Sequence, residues 1–168
     1  MFKKFLVLFN RIKPFIHTYA LAITIPLTVG LASAMLTKDN MSVYTELNSP
    51  PLSPPAILFP IVWTILFILM GVSSGLAFTK KDRNHDAAKK SLGWYATSLI
   101  LNFSWSIIFF NLQAAFFALL ILIALIYTVV KTILEYRKVT PVAAYLQIPY
   151  LLWLLFAGYL NVGIWLLN

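Results

Sequence analysis

Residues 50–67 read PPLSPPAILFPIVWTILF, a proline-dense loop running straight into an uncharged apolar helix. Trp63 and Phe67 stand four positions apart, so the two rings share one helix face. A similar face recurs near the end of the chain, where Pro149, Tyr150 and Trp153 lead to Ala157 and Asn161 at successive turns. Two tryptophans deep in apolar segments, each shortly after a proline, point to a membrane pocket built to hold a flat ligand.

The rest of the composition places these segments in a bilayer. Of 168 residues, 61% are hydrophobic and 11% charged, and the mean hydropathy is +0.85. A soluble domain of this length buries only about 70% of its surface, too little to hide that much apolar area. No Asp, Glu, Lys or Arg occurs in 14–37, 47–79, 91–130 or 139–168. A spanning helix needs about 20 apolar residues to cross ~30 Å of hydrocarbon. The first, second and fourth windows each fit one span, and the third fits two joined by a tight turn at Asn111, Leu112 and Gln113. The chain therefore reads as an all-α integral membrane protein, a bundle of five transmembrane helices. A basic segment at 1–13 precedes a single membrane domain over 14–168. The spans are expected from Pro14 to Leu36, with Pro26 as a kink, from Ile57 to Thr79, from Leu92 to Phe110, onward to Val130, and from Pro141 to Leu166.

The Lys and Arg residues, all but Lys38, fall before span one, between spans two and three, or between spans four and five. The positive-inside rule then sets the N-terminus in the cytoplasm and the C-terminus outside. The net charge of +8 is thus a topology signal rather than a nucleic-acid footprint, because no basic cluster is interleaved with aromatics on a soluble surface. No cleavable leader is evident before span one, and a bacterial plasma membrane is the expected location. The absence of cysteine excludes disulfides and thiolate chemistry.

No charged side chain lies in any expected span, which leaves no intramembrane ion pair or proton relay. His17 and His85 lack partners at metal-ligand spacing, so no metal site is expected. No Ser-His-acid set or phosphate-binding loop is visible, so classical hydrolase or ATPase chemistry is not expected. What remains is aromatic and neutral-polar. Span three supplies Asn102, Trp105, Ser106, Phe109 and Phe110 around one stretch, beside Trp63 and Phe67 on one face of span two and Trp153, Ala157 and Asn161 on one face of span five. Such a set can sandwich a planar ligand and hydrogen-bond its rim. The same residues fit core packing equally well, with Asn102 and Asn161 as glue between helices. Trp94, Tyr95 and Trp165 read as interfacial belt residues. Tyr44 and the prolines at Pro50, Pro51, Pro54 and Pro55 stiffen the one long connection, which reads as a lid over the bundle.

In order and spacing, Tyr44–Leu47, Pro50–Pro55, Val62–Gly71, Leu101–Phe110 and Pro149–Asn161 resemble the translocator protein family, also called tryptophan-rich sensory proteins or peripheral benzodiazepine receptors (TspO/MBR). The resemblance covers about residues 15–166. It implies a five-helix bundle, usually a homodimer, with no cofactor and a cavity that takes porphyrins and related hydrophobic planar ligands under the first loop. It also implies that Trp63, Phe67, Asn102, Trp153 and Ala157 are ligand contacts, and that Trp63 and Trp153 are the candidates for any light-dependent porphyrin breakdown. A passive tetrapyrrole transporter is the other alternative. Val43 and Leu52 stand where the family often has loop tryptophans, which removes two aromatic caps. Leu125, Tyr127 and Lys131 fit a loose sterol-contact pattern. Gly71/Gly75 and Ala114/Ala118 offer two small-residue faces for a dimer.

Overall fold

The computed structural model describes residues 2–40 and 47–168, with side chains from Phe15 onward. Among the described residues the chain is helical, without strands: α1 (Phe2–Thr37), α2 (Leu58–Thr79), α3 (His85–Ser106), α4 (Ala115–Val139), α5 (Pro141–Leu146) and α6 (Ile148–Leu167). Five segments are long and apolar enough to cross a membrane: Phe15–Asn40, Leu58–Thr79, His85–Asn111, Ala115–Val139 and Pro141–Leu167. The last span is α5 and α6 together. Its break at Gln147 has a simple cause, since Pro149 has no N–H to continue the ladder.

Charge-free windows mark the spans but not the helix ends. α3 starts at His85 rather than Leu92, because the Asn84 side chain accepts a hydrogen bond from the Ala87 N–H at 3.1 Å and Asp86 occupies the first turn. α4 continues past Val130 to Val139, with Arg137 and Lys138 in its last turn. In both cases the polar turns extend the helix beyond the hydrocarbon, where charge is tolerated. α1 runs unbroken through the buried Pro26. Tyr95 is not a belt residue: it is 6% exposed and belongs to the core.

Around the bundle, α1 packs on α2, α2 on α5, α4 on both α5 and α6, and α3 on α4; α3 also touches α1 and α2 and closes the ring. The α1–α2 contact is close. A methyl group on Gly71 would collide with the Ile23 backbone and lie 2.8 Å from the Ala22 carbonyl, and one on Gly75 would meet the Tyr19 ring at 2.8 Å. The small residues of span two are therefore spent inside the chain rather than on a partner. Ala118 is fully buried as well, so that half of the Ala114/Ala118 face is spent within the bundle, while Ala114 stays partly exposed. The sterol pattern does not hold together in space, since Leu125 is fully buried while Tyr127 is 54% exposed. Residues two apart on a helix point in nearly opposite directions.

Span three ends in a π turn, Ile107–Asn111, in which the Leu112 N–H donates to the Ile107 carbonyl at 3.1 Å. Gln113 then adopts φ 50°, which reverses the chain into α4. The Asn111 amide donates to the Leu36 carbonyl at 3.0 Å and accepts from the Asn40 amide at 3.1 Å. The turn thus caps the C-terminal end of α1, supplying one of the partners that a helix end otherwise lacks.

Candidate ligand-binding site

A cavity of about 540 Å³ lies between α1, α2 and α3, in the half of the bundle nearer the 38–57 connection. Its walls are aromatic and neutral. From α2 come Phe59, Trp63 and Phe67; from α3 and its π turn come Asn102, Trp105, Ser106 and Phe110. α1 supplies the third wall through Leu27, Gly30, Ser33 and Thr37. Glycine is required at position 30, because a Cβ there would occupy the space of the Phe67 ring.

The rings are fixed by one another. Trp63 stacks on Phe67 with centroids 5.4 Å apart and meets the Tyr150 ring edge-on at 6.0 Å. Trp105 stacks on Phe109 at 5.1 Å and meets Phe110 nearly perpendicularly at 6.2 Å. Each amide has a structural duty too. Asn102 donates to the Tyr150 hydroxyl at 3.2 Å. Asn161 accepts from the Trp105 indole N–H at 3.1 Å and donates to the Ala115 carbonyl at 2.8 Å, joining α3, α4 and α6 at one point.

The sequence-predicted residues thus divide. Trp63, Phe67, Asn102, Trp105 and Ser106 converge on the cavity. Phe109 lies behind Trp105 and faces a separate hollow with Phe116 and Trp165. Asn161 sits behind the same tryptophan and holds it. Ala157 is buried in the core. Trp153 lines a different groove with Val62, Leu69 and Phe156, on the α2–α6 side. Phe59 links the two regions: it lines the cavity and meets the Trp153 ring edge-on at 5.9 Å.

The expected lid is tied to α6. Pro50 is buried against Gly163, where a Cβ would lie 2.5 Å from the proline ring. The Tyr159 hydroxyl donates to the Pro51 carbonyl at 2.7 Å, and Asn48 exchanges two 3.0 Å hydrogen bonds with Asn168. Leu52 adopts φ 67° at the tip of the turn, and Ser53 closes it by donating from its hydroxyl to the Pro50 carbonyl at 2.7 Å. None of the described residues 47–57 lines the cavity. Tyr44 lies outside the described residues. Tyr159→Phe is expected to speed hydrogen exchange at the Ser53 amide severalfold while leaving the melting temperature within about 2 °C, as befits one exposed hydrogen bond. Unchanged exchange would show that Pro50 alone anchors the turn.

Sequence reasoning missed two components. The α1 wall carries a readable signal, since Gly30, Ser33, Ala34 and Thr37 put small or hydroxylated residues on one face of an otherwise bulky helix. Tyr150, fully buried between Trp63 and Asn102, had no such signal beyond its place after Pro149.

Comparison with known proteins now decides the family. The TspO/MBR family model matches residues 22–166. The chain belongs to the TspO/MBR family. It is 39% identical to Tryptophan-rich protein TspO of Chlorobaculum tepidum, over 91% of this chain and 97% of that one. It is 37% identical to the protein of the same name from Archaeoglobus fulgidus, over 84% and 91%. The bovine Translocator protein is 32% identical, over 84% of each. This TspO/MBR chain is an integral membrane protein, with its cavity enclosed by its first three spans.

Proposed function

We propose that the chain is a receptor-like membrane protein that binds porphyrins and related planar hydrophobic molecules in the cavity between α1, α2 and α3. The observation that carries this reading is the pair of ring stacks, Trp63 on Phe67 and Trp105 on Phe109, whose tryptophans both face one neutral cavity of about 540 Å³. That volume lies within the ~300–1,000 Å³ of small-molecule sites, and a flat conjugated ligand gains most from aromatic walls. Among the described residues, no charged side chain lines the cavity. The carboxylates of a porphyrin are therefore expected to lie outside it. Lys38, exposed and one residue beyond Thr37 of the α1 wall, provides a nearby positive charge.

The test is a dark titration of the purified protein with protoporphyrin IX, read by tryptophan fluorescence quenching. Saturable quenching is expected, and Trp63→Ala should weaken binding about tenfold, or ~1.4 kcal/mol for one lost aromatic wall. Quenching that never saturates, or that saturates identically in Trp63→Ala, would overturn the assignment. Illumination of the same samples separates binding from porphyrin breakdown, since only the latter bleaches the Soret band faster with protein than without. Trp153 lines the α2–α6 groove rather than the cavity, which leaves the breakdown reading only Trp63 of its two candidate tryptophans at the site.

A further inference from the structure

In the other half of the bundle, three buried polar groups have no hydrogen-bond partner among the described residues: the hydroxyls of Tyr95 and Tyr136 and Nε2 of Gln147. They come from α3, from α4 and from the break between α5 and α6. Their side chains are 6%, 0% and 1% exposed. These groups are not scattered. Tyr136 lies near Tyr95 and packs with Ala143 and Ala144, one turn before Gln147; its hydroxyl approaches Ser73, and that of Tyr95 approaches Ser74, but neither closes into a hydrogen bond of good geometry. Ser73 and Ser74 donate their own protons to the carbonyls of Ala143 at 2.7 Å and Gly71 at 3.0 Å, so both hydroxyl oxygens keep lone pairs for a further donor. Tyr150 is one turn after Gln147, lies near Tyr95, and accepts from Asn102 in the cavity wall. The polar track thus runs from the cavity into the opposite half of the membrane-spanning bundle.

A single buried donor without a partner costs about 1–3 kcal/mol, and bilayer hydrocarbon offers no substitute. Three such groups in one region call for a guest. None of the polar groups named here is ionic, which disfavours a charged one, while hydroxyls and amides together suit a molecule that both donates and accepts. Buried water, with its two to four hydrogen bonds, has that chemistry and that size.

We propose that Tyr95, Tyr136 and Gln147 ligate ordered internal water in the half of the bundle opposite the cavity, and that Tyr150 joins this water to Asn102. The hydration site is independent of which ligand the cavity takes. It gives the cavity wall a hydrogen-bonded link across the bundle, so a ligand that turns the Asn102 amide withdraws the donor from Tyr150 and disturbs the water behind it.

The direct test uses the intact protein in lipid bilayers with ¹³Cζ-labelled tyrosine and water-edited solid-state NMR, with Tyr95 and Tyr136 assigned from their Phe variants. Both ring carbons are expected to gain polarisation from water well before the buried methyls of Leu125 do. Build-up as slow as that of Leu125 would overturn the proposal. A second measurement is the sign of the stability change. Removing a hydroxyl bound to water destabilises the fold, whereas removing a true orphan stabilises it. Tyr136→Phe is expected to lower the melting temperature by about 2–4 °C, and Tyr95→Phe/Tyr136→Phe by less than the sum of the two single changes. An unchanged or raised melting temperature in Tyr136→Phe would refute the water site.

Discussion

Gly71→Ala is expected to be among the most damaging single-methyl additions in this protein. The new Cβ would fall on the backbone of Ile23 and within 2.8 Å of the Ala22 carbonyl, and a backbone cannot yield as a side chain can. α1 must move away as a unit, at a cost at or above the upper end of the ~1–3 kcal/mol typical of overpacking. Since α1 is one wall of the cavity, the displacement should also weaken porphyrin quenching. Gly93→Ala is the matched control: nothing lies within 4 Å of a Cβ there, and alanine favours the helix by about 0.8–1.0 kcal/mol. Thermal unfolding in detergent should therefore fall by several degrees for the first variant and hold or rise for the second. Equal melting temperatures for wild type and Gly71→Ala would mean that α1 does not seat on α2 at Ile23.

Asn161→Leu is expected to have a comparable effect by a different route. The side chain keeps its branched outline, but the Trp105 indole N–H loses its partner and the Ala115 carbonyl, at the first residue of α4, keeps only its helical one. One buried donor left unpaired costs about 1–3 kcal/mol, although interhelical hydrogen bonds in membranes average nearer ~0.6 kcal/mol. The near-complete burial of Asn161 favours the larger figure, and we expect a loss of about 1–3 kcal/mol in denaturant unfolding. Trp105→Phe removes the donor instead, so the double variant should lose less than the sum of the singles. Additive losses would mean that the two side chains do not depend on each other. Ligand binding should weaken along with stability, because Asn161 sets the orientation of a ring in the cavity wall.

The five spans were legible because charge is excluded from hydrocarbon so strongly that its absence marks a helix without any pattern analysis. The ends of α3 and α4 were not, because Lys89, Lys90 and Lys131 continue helices that have already left the apolar layer. On the site, Trp63, Phe67, Asn102, Trp105 and Ser106 could be grouped from helical spacing on two segments. Spacing cannot say which side of a helix meets which neighbour, and this is where Trp153 and Asn161 parted from the cavity. Gly71 and Gly75 show the same limit. The motif announces a close approach, but only the packed bundle shows that the partner is α1 of the same chain rather than a second copy.

Among the described residues, all that line the cavity lie between Leu27 and Phe110, so the pocket is encoded in one continuous stretch of chain. During synthesis, α1 and α2 can meet along their glycine seam as soon as the second span enters the bilayer, and the third span completes the enclosure. The last two spans arrive afterwards and bring Tyr150 and Asn161, which tighten walls already in place. Order of insertion and order of function therefore coincide: the nascent chain builds its pocket first and its braces last.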